Sequence, residues 1–306
     1  MARAYVYREH GGPEVEDLAD LPRPVPGPGQ VLVAVRAAGV NPIDWKRRTG
    51  YAPPGAAPEA LPAVFGSEVS GLVAAVGPNV TDFAPGDAVF GNPITGGYAE
   101  YTLLPVDLTA RKPSGVSFPA AATLPVAAAT AYDAVQQVRL LPGATLLITG
   151  VGGGVGVAAA QIARHAGLRV LGTASAEKKD FVASLGVTHV EPGPGTADRV
   201  RAAAPDGVDA IVDLVGGAAL EEVAEVLDDR AKLVTAADRA TVTALGGVGV
   251  ERARTREVLD AVAWLVAEGV LDPYVTRTFP LAEAGRALRA VEEGHARGKV
   301  VIEVLG

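Results

Sequence analysis

Between Thr145 and Gly167 the chain reads TLLITGVGGGVGVAAAQIARHAG: an apolar run, a turn containing Gly150, Gly152, Gly153, Gly154, Val155 and Gly156, then a segment of helical composition. A strand that turns straight into a helix through residues lacking a Cβ lets the backbone approach a pyrophosphate, whose charge meets the free N–H groups and positive end of the helix. A second apolar run from Leu168 to Thr173 completes a βαβ unit and gives the glycines their context. The pattern predicts a dinucleotide site; a tight structural turn is the plainer alternative. One departure is that Val151 stands at the first glycine position of G-x-G-x-x-G, leaving Gly153 and Gly156 as the second and third.

The end of the second strand distinguishes the two nicotinamide cofactors, because an NAD site usually places Asp or Glu there for the ribose 2′-hydroxyl. Here the residues are Thr173, Ala174 and Ser175, followed by Lys178 and Lys179 in what should be the first turn of a helix. Cations at that end oppose the helix dipole by roughly 0.3 to 1 kcal/mol each, and an anion between them offsets the cost. The expectation is NADPH, with Ser175 and Lys178 on the 2′-phosphate. Glu177 nearby keeps open the alternative of a solvated charge cluster.

The elements that must carry these groups fall into two textures. Up to about residue 119 the chain has short β-branched runs punctuated by Gly and Pro, the clearest being VLVAVRAAGV from Val31 to Val40, with SGLVAAVG and DAVFG after it. From Ala144 onward, the apolar runs ATLLIT, LRVLGT, VTHV, VDAIVDLV and AKLVT alternate with helical segments such as Ala219 to Asp228 and Arg256 to Glu268, as in a parallel sheet with crossover helices. A strand near Tyr274 to Thr278, a helix from Leu281 to Glu293 and a final strand KVVIEVL should return to the first domain. The expected division is 1–119, 120–268 and 269–306, the last rejoining the first.

Composition narrows the function classes. Over 306 residues, 27 Lys plus Arg against 35 Asp plus Glu give a net charge of −8, which disfavours nucleic acid or an anionic membrane as the main partner. Absence of cysteine removes disulfides, thiolate catalysis and zinc sites built on sulfur. With no apolar leader in MARAYVYREHGG and prolines interrupting the apolar stretch from Phe118 to Val135, a cytoplasmic protein is expected.

Several motifs in order then become informative: GSEVSGLVAAVGPNV, with Gly66, Glu68, Gly71, Gly77 and Val80, and AAGVNPID, GDAVFG, GGYAEY, LPVAAATAY, VDLVGG and ARGKVVIEV. Over nearly its full length the chain resembles the zinc-independent members of the medium-chain dehydrogenase/reductase superfamily, of the NADPH:quinone oxidoreductase type. The resemblance implies an α/β protein in which a GroES-like β-rich catalytic domain joins a Rossmann doubly wound parallel-sheet domain, with the active site in the cleft between them. Where relatives carry catalytic zinc ligands this chain has Asn41, Ser67 and Val126, and the four-cysteine lobe is missing, so no metal is expected. The resemblance places Asn41 beside the reacting centre, its amide able to donate to an oxygen, and puts Thr130, Val215 and Gly216 against the cofactor. Read locally, Asn41 before Pro42 also suits a plain turn.

Trp45, Tyr51, Phe65 and Phe90 are candidates for an aromatic wall against a flat acceptor, with Tyr51 a possible donor; each also suits an ordinary core. Lys299 is a candidate cofactor contact or an edge-strand charge, and Asp44 and Glu68 have structural readings. His10, His165, His189 and His295 show no metal spacing. Without a Lewis acid, a conjugated acceptor suits the site better than a simple alcohol, because hydride addition puts its negative charge on an oxygen that one donor or water can stabilise. The expected activity is NADPH-dependent reduction of quinones by direct hydride transfer in a homodimer. The alternatives are reduction of enone or enal double bonds and a non-catalytic NADPH-binding redox sensor.

Overall fold

Alternation along Gln30–Gly39 sets the first half of the molecule: Val31, Val33 and Val35 are fully buried, while Ala34 and Arg36 are only partly covered. The structure, a computed structural model, describes residues 1–52, 60–294 and 296–304; the Pro53 to Pro58 loop and His295 lie outside the described residues. The chain forms two compact units, Met1–Val126 with Arg254–Ala267 and Val275–Gly306, and Ala127–Ala253 with Glu268–Tyr274. The helix Arg256–Ala267 belongs to the first unit, whereas the sequence reading grouped it with residues 120–268.

In the first unit, Gln30–Gly39 is the axis of a seven-stranded sheet. Lys299–Glu303 runs antiparallel on one side with Val301 opposite Gly39, and Val69–Val76 runs antiparallel on the other with Ala38 opposite Val69. Three segments far apart in sequence therefore end at one place, just beyond Gly39. A smaller sheet, in the order Glu16–Leu21, Ala2–Tyr7, Ala63–Val64, completes the unit. The core between them holds Tyr7, Phe65, Tyr98, Leu104, Leu281 and Leu288.

The second unit is a parallel sheet in the order Thr188–Val190, Arg169–Thr173, Thr145–Ile148, Ala210–Asp213, Leu233–Thr235, Val248–Gly249. The first five match the apolar runs of the sequence. Val248–Gly249 went unread because two residues beside Gly247 give no alternation to detect. The helix expected over Ala219 to Asp228 spans Gly217–Ala224; Leu227 is still buried, but the guanidinium of Arg230 donates to the carbonyl of Ala224 and ends the helix there. No described helix is long and apolar enough to cross a membrane.

Candidate active site

Asn41 occupies the N-cap of the helix Pro42–Arg48, where an Asn side chain ordinarily bonds the first-turn amides. It forms a capping box with Asp44. In that box the Asp44 carboxylate accepts from the Asn41 backbone N–H at 2.9 Å. The Asn41 amide also reaches inward, with Nδ2 donating to Glu68 Oε1 at 2.8 Å and Oδ1 accepting from Lys299 Nζ at 2.7 Å. A longer contact of 3.4 Å joins Nδ2 to Ser67 Oγ.

Lys299 Nζ also donates to Glu68 Oε1 at 2.8 Å and to the Val40 carbonyl at 3.0 Å, while Glu68 Oε2 accepts from the Val126 N–H at 2.7 Å. Asn41, Glu68 and Lys299 are each at most 4% exposed. Room for the carboxylate comes from Gly39, where a Cβ would lie 2.2 Å from Glu68 Oε1 and 2.6 Å from the Ala122 carbonyl oxygen. Asn41, Ser67 and Val126 thus surround Glu68, and the cation among them is Lys299. An amide, a hydroxyl and an apolar side chain around a fixed ammonium form a donor set that does not fit zinc. Among the described residues, no group of three or more His, Cys, Asp or Glu is arranged to hold a metal ion.

Below this cluster Asp44 is fully enclosed, and Tyr98 OH donates to Asp44 Oδ2 at 2.9 Å. Burial pushes the Asp44 carboxyl up to about 6; the Asn41 N–H, Tyr98 and Ser67 oppose that rise, and Glu68 adds to it. Burial, with Asp44 beside it, likewise holds the Tyr98 phenol well above its ordinary range. Both groups favour their neutral forms more than an exposed pair would.

In the second unit the strand Thr145–Ile148 leads through the glycine turn into the helix Gly154–His165. Gly150 has φ +64°, and its N–H donates to Thr173 Oγ1 at 3.2 Å, tying the turn to the neighbouring strand. Gly153 is the N-cap and no side chain caps the helix, so its first amides are available for an anion. At Gly156 a Cβ would lie 2.5 Å from Val151 Cα, so this glycine lets helix and turn pack closely. Val151 is fully buried at the first motif position because Gly172 makes room for it; a Cβ there would meet the Val151 side chain at 2.4 Å.

Lys178 comes over this turn, its Cδ 2.8 Å from where a Gly152 Cβ would be. Ser175 is exposed beside it at the N-cap of the short 3₁₀ turn Ala176–Lys178. On the other side of the sheet, Asp213 is fully buried at the end of its strand and organises the next loop. Its carboxylate accepts from Thr149 Oγ1 and Thr235 Oγ1 at 2.6 Å each and from the Val215 and Gly216 amides at 3.1 to 3.2 Å. Val215 is left half-exposed, and Gly216 at φ +80° turns the chain into Gly217–Ala224. Thr130 is buried in the helix Ala129–Val138.

The aromatic candidates separate. Phe65 and Phe90 are buried, and Phe65 packs among the rings of Tyr5, Tyr7 and Tyr98, so neither offers a face to an acceptor. Trp45 is partly covered with Nε1 buried and unpartnered, and Tyr51 is half-exposed, with no hydrogen bond to the Asn41 cluster among the described residues. His10 and His165 are exposed, and His189 Nε2 bonds the Ala174 carbonyl at 2.7 Å. An open hollow of about 340 Å³ lined by Arg164, Arg169 and Asp206 lies at the amino ends of the strands, away from the glycine turn. Asp213 and Tyr98 were not singled out in the sequence; the aspartate that ends a strand in VDLVGG was the available signal for the first.

Two family signatures match: one described as "Alcohol dehydrogenase GroES-like domain" over residues 27–114, the other as "Zinc-binding dehydrogenase" over residues 185–302. The chain is similar to a quinone oxidoreductase from Mus musculus, 32% identical over 327 residues and covering 99% of this chain and 98% of that protein. It is similar in structure to the quinone oxidoreductase of Coxiella burnetii, with a TM-score of 0.90, 31% identity and 99% of each chain covered. A mycobacterial protein solved in complex with NADPH superposes with a TM-score of 0.88 at 31% identity, covering 99% of this chain and all of that one, 100%.

Proposed function

The chain belongs to the medium-chain dehydrogenase/reductase superfamily, of quinone oxidoreductase type, and is an NADPH-dependent oxidoreductase; from that premise we propose that it reduces quinones by direct hydride transfer without zinc. The observation that carries the reading is the Asn41 amide, held with one Nδ2 proton engaged by Glu68 and the other making only the 3.4 Å contact with Ser67 Oγ. An acceptor oxygen can take the place of that weak partner.

When bound, NADPH would supply a hydride with its two electrons to one quinone oxygen, the C=O π bond giving way and the ring conjugation carrying the charge to the other oxygen. The second oxygen gains negative charge and takes its proton from water, giving the hydroquinone and NADP⁺. Asn41 stabilises the oxygen as charge develops. The glycine turn from Gly152 to Gly156 receives the pyrophosphate on the helix amides, Ser175 and Lys178 take the 2′-phosphate, and Thr130 and the Val215–Gly216 backbone position the rest of the cofactor. Tyr51 and Trp45 supply what aromatic surface an acceptor meets. Zinc independence is supported by the donor set around Lys299. A cytoplasmic homodimer is proposed through the edge strand Val248–Gly249, where Val248 is 43% exposed. Replacing Asn41 by Ala and measuring quinone-dependent NADPH oxidation tests the assignment: a loss of about 100-fold in kcat is expected, the scale of removing one oxyanion donor. An unchanged kcat removes Asn41 from the chemistry.

A further inference from the structure

We propose that Glu68 and Lys299 are positioning residues whose task is to fix the polarity of the Asn41 amide, an inference that rests on the role of Asn41 proposed above. The two ends of a carboxamide have nearly the same shape and opposite hydrogen-bonding character. Lys299 offers only donors, and its Nζ lies 2.7 Å from Asn41 Oδ1. Glu68 in its salt bridge offers acceptors, and its Oε1 lies 2.8 Å from Asn41 Nδ2. A flipped amide would set oxygen against carboxylate and NH₂ against ammonium, so one orientation alone satisfies both neighbours.

The surrounding bonds hold this pair rigid. The three described contacts of Lys299 Nζ go to Val40 O, Asn41 Oδ1 and Glu68 Oε1, and Glu68 Oε2 is occupied by the Val126 amide. Gly39 is required for the carboxylate to fit at all. Stability alone is a poor reason for such an arrangement, since a buried ion pair is often replaceable by apolar residues without loss. Its effect on Asn41 is specific: the ammonium on Oδ1 polarises the amide and strengthens Nδ2–H as a donor, and the carboxylate holds the other proton so that the remaining one faces the Ser67 side.

The test is the neutral double variant Glu68→Gln/Lys299→Met, compared with Asn41→Ala and with the triple variant, with thermal midpoints measured alongside. If the pair acts through Asn41, the double variant loses at least tenfold in kcat for a quinone while its NADPH Kd stays within twofold. Adding Asn41→Ala then lowers kcat no further than Asn41→Ala alone. Independent losses that multiply, or a kcat within twofold of the unmodified enzyme, overturn the inference. Should the double variant not fold, Lys299→Gln is read in the same way, because its amide accepts either polarity of Asn41. If Asn41→Ala itself turns over normally, the role of Asn41 fails and this inference with it; if only the double variant is unaffected, the role of Asn41 stands and this inference alone falls.

Discussion

Lys299 Nζ and Asn41 Oδ1 are 2.7 Å apart, although 258 residues separate them in sequence. The sheet makes this meeting possible: Lys299–Glu303 pairs with Gln30–Gly39 so that Val301 faces Gly39, and the lysine at the strand's start reaches the asparagine just past the other strand's end. The proposed oxygen-stabilising group is therefore completed by the C-terminal strand. An enzyme lacking that strand would retain the Asn41 side chain and lose what orients it.

The enclosed Asp44 carboxyl gives a pH dependence of stability with a defined sign. Its pKa rises from 3.8 to about 6 on folding, chiefly through burial, so between those values the folded state holds a proton that the unfolded state has released. Its contribution is fully favourable below about pH 4, falls as pH rises to about 6, and is flat above about pH 7, a change of ~3 kcal/mol. Asp44→Asn lacks this change. Denaturant midpoints at pH 4, 5, 6 and 7 should show the variant gaining on the unmodified protein up to about pH 6 and then no further; a difference independent of pH would contradict the burial argument.

Lys178 lies over the glycine turn, and Ser175 is exposed beside it. Lys178→Ala should raise the NADPH KM at least tenfold, roughly the ~1.5 kcal/mol of a lost charge-assisted hydrogen bond, and leave the NADH KM within about twofold. Steady-state kinetics with both cofactors decide it, and an equal loss for the two would remove Lys178 from the 2′-phosphate.

Two glycines of the same turn should respond in opposite ways to alanine. At Gly156 the new Cβ would meet Val151 Cα at 2.5 Å and the Gly150 carbonyl at 2.6 Å, both backbone atoms, so a loss of about 1 to 3 kcal/mol in stability is expected. At Gly152 it would meet Lys178 Cδ at 2.8 Å, part of a flexible side chain. Gly152→Ala should therefore change the thermal midpoint little while raising the NADPH KM several-fold by displacing Lys178. Thermal melts and cofactor titrations on both variants check the contrast; a Gly152→Ala protein as unstable as Gly156→Ala would refute it.

How much was legible follows from how local each requirement is. The glycine turn could be read because strand, turn and helix are contiguous, and the first five parallel strands because each is an apolar run. The explanation for Val151 was not legible, since it lies in Gly172 on the next strand. Asn41 entered through the family resemblance, but its partners Glu68 and Lys299 lie 27 and 258 residues away, and only the antiparallel register brings them together. Phe65 and Phe90 show the opposite limit: residue type makes an aromatic a candidate for either core or wall, and only packing shows that both belong to the core.

The most direct test of the central claim is NADPH consumption by the purified protein against simple quinones, fused-ring quinones, enones and enals, with NADH in parallel. The account predicts turnover with quinones and a preference for NADPH. Turnover confined to enones or enals would move the activity to double-bond reduction, and tight NADPH binding with no acceptor reduced would contradict the account outright.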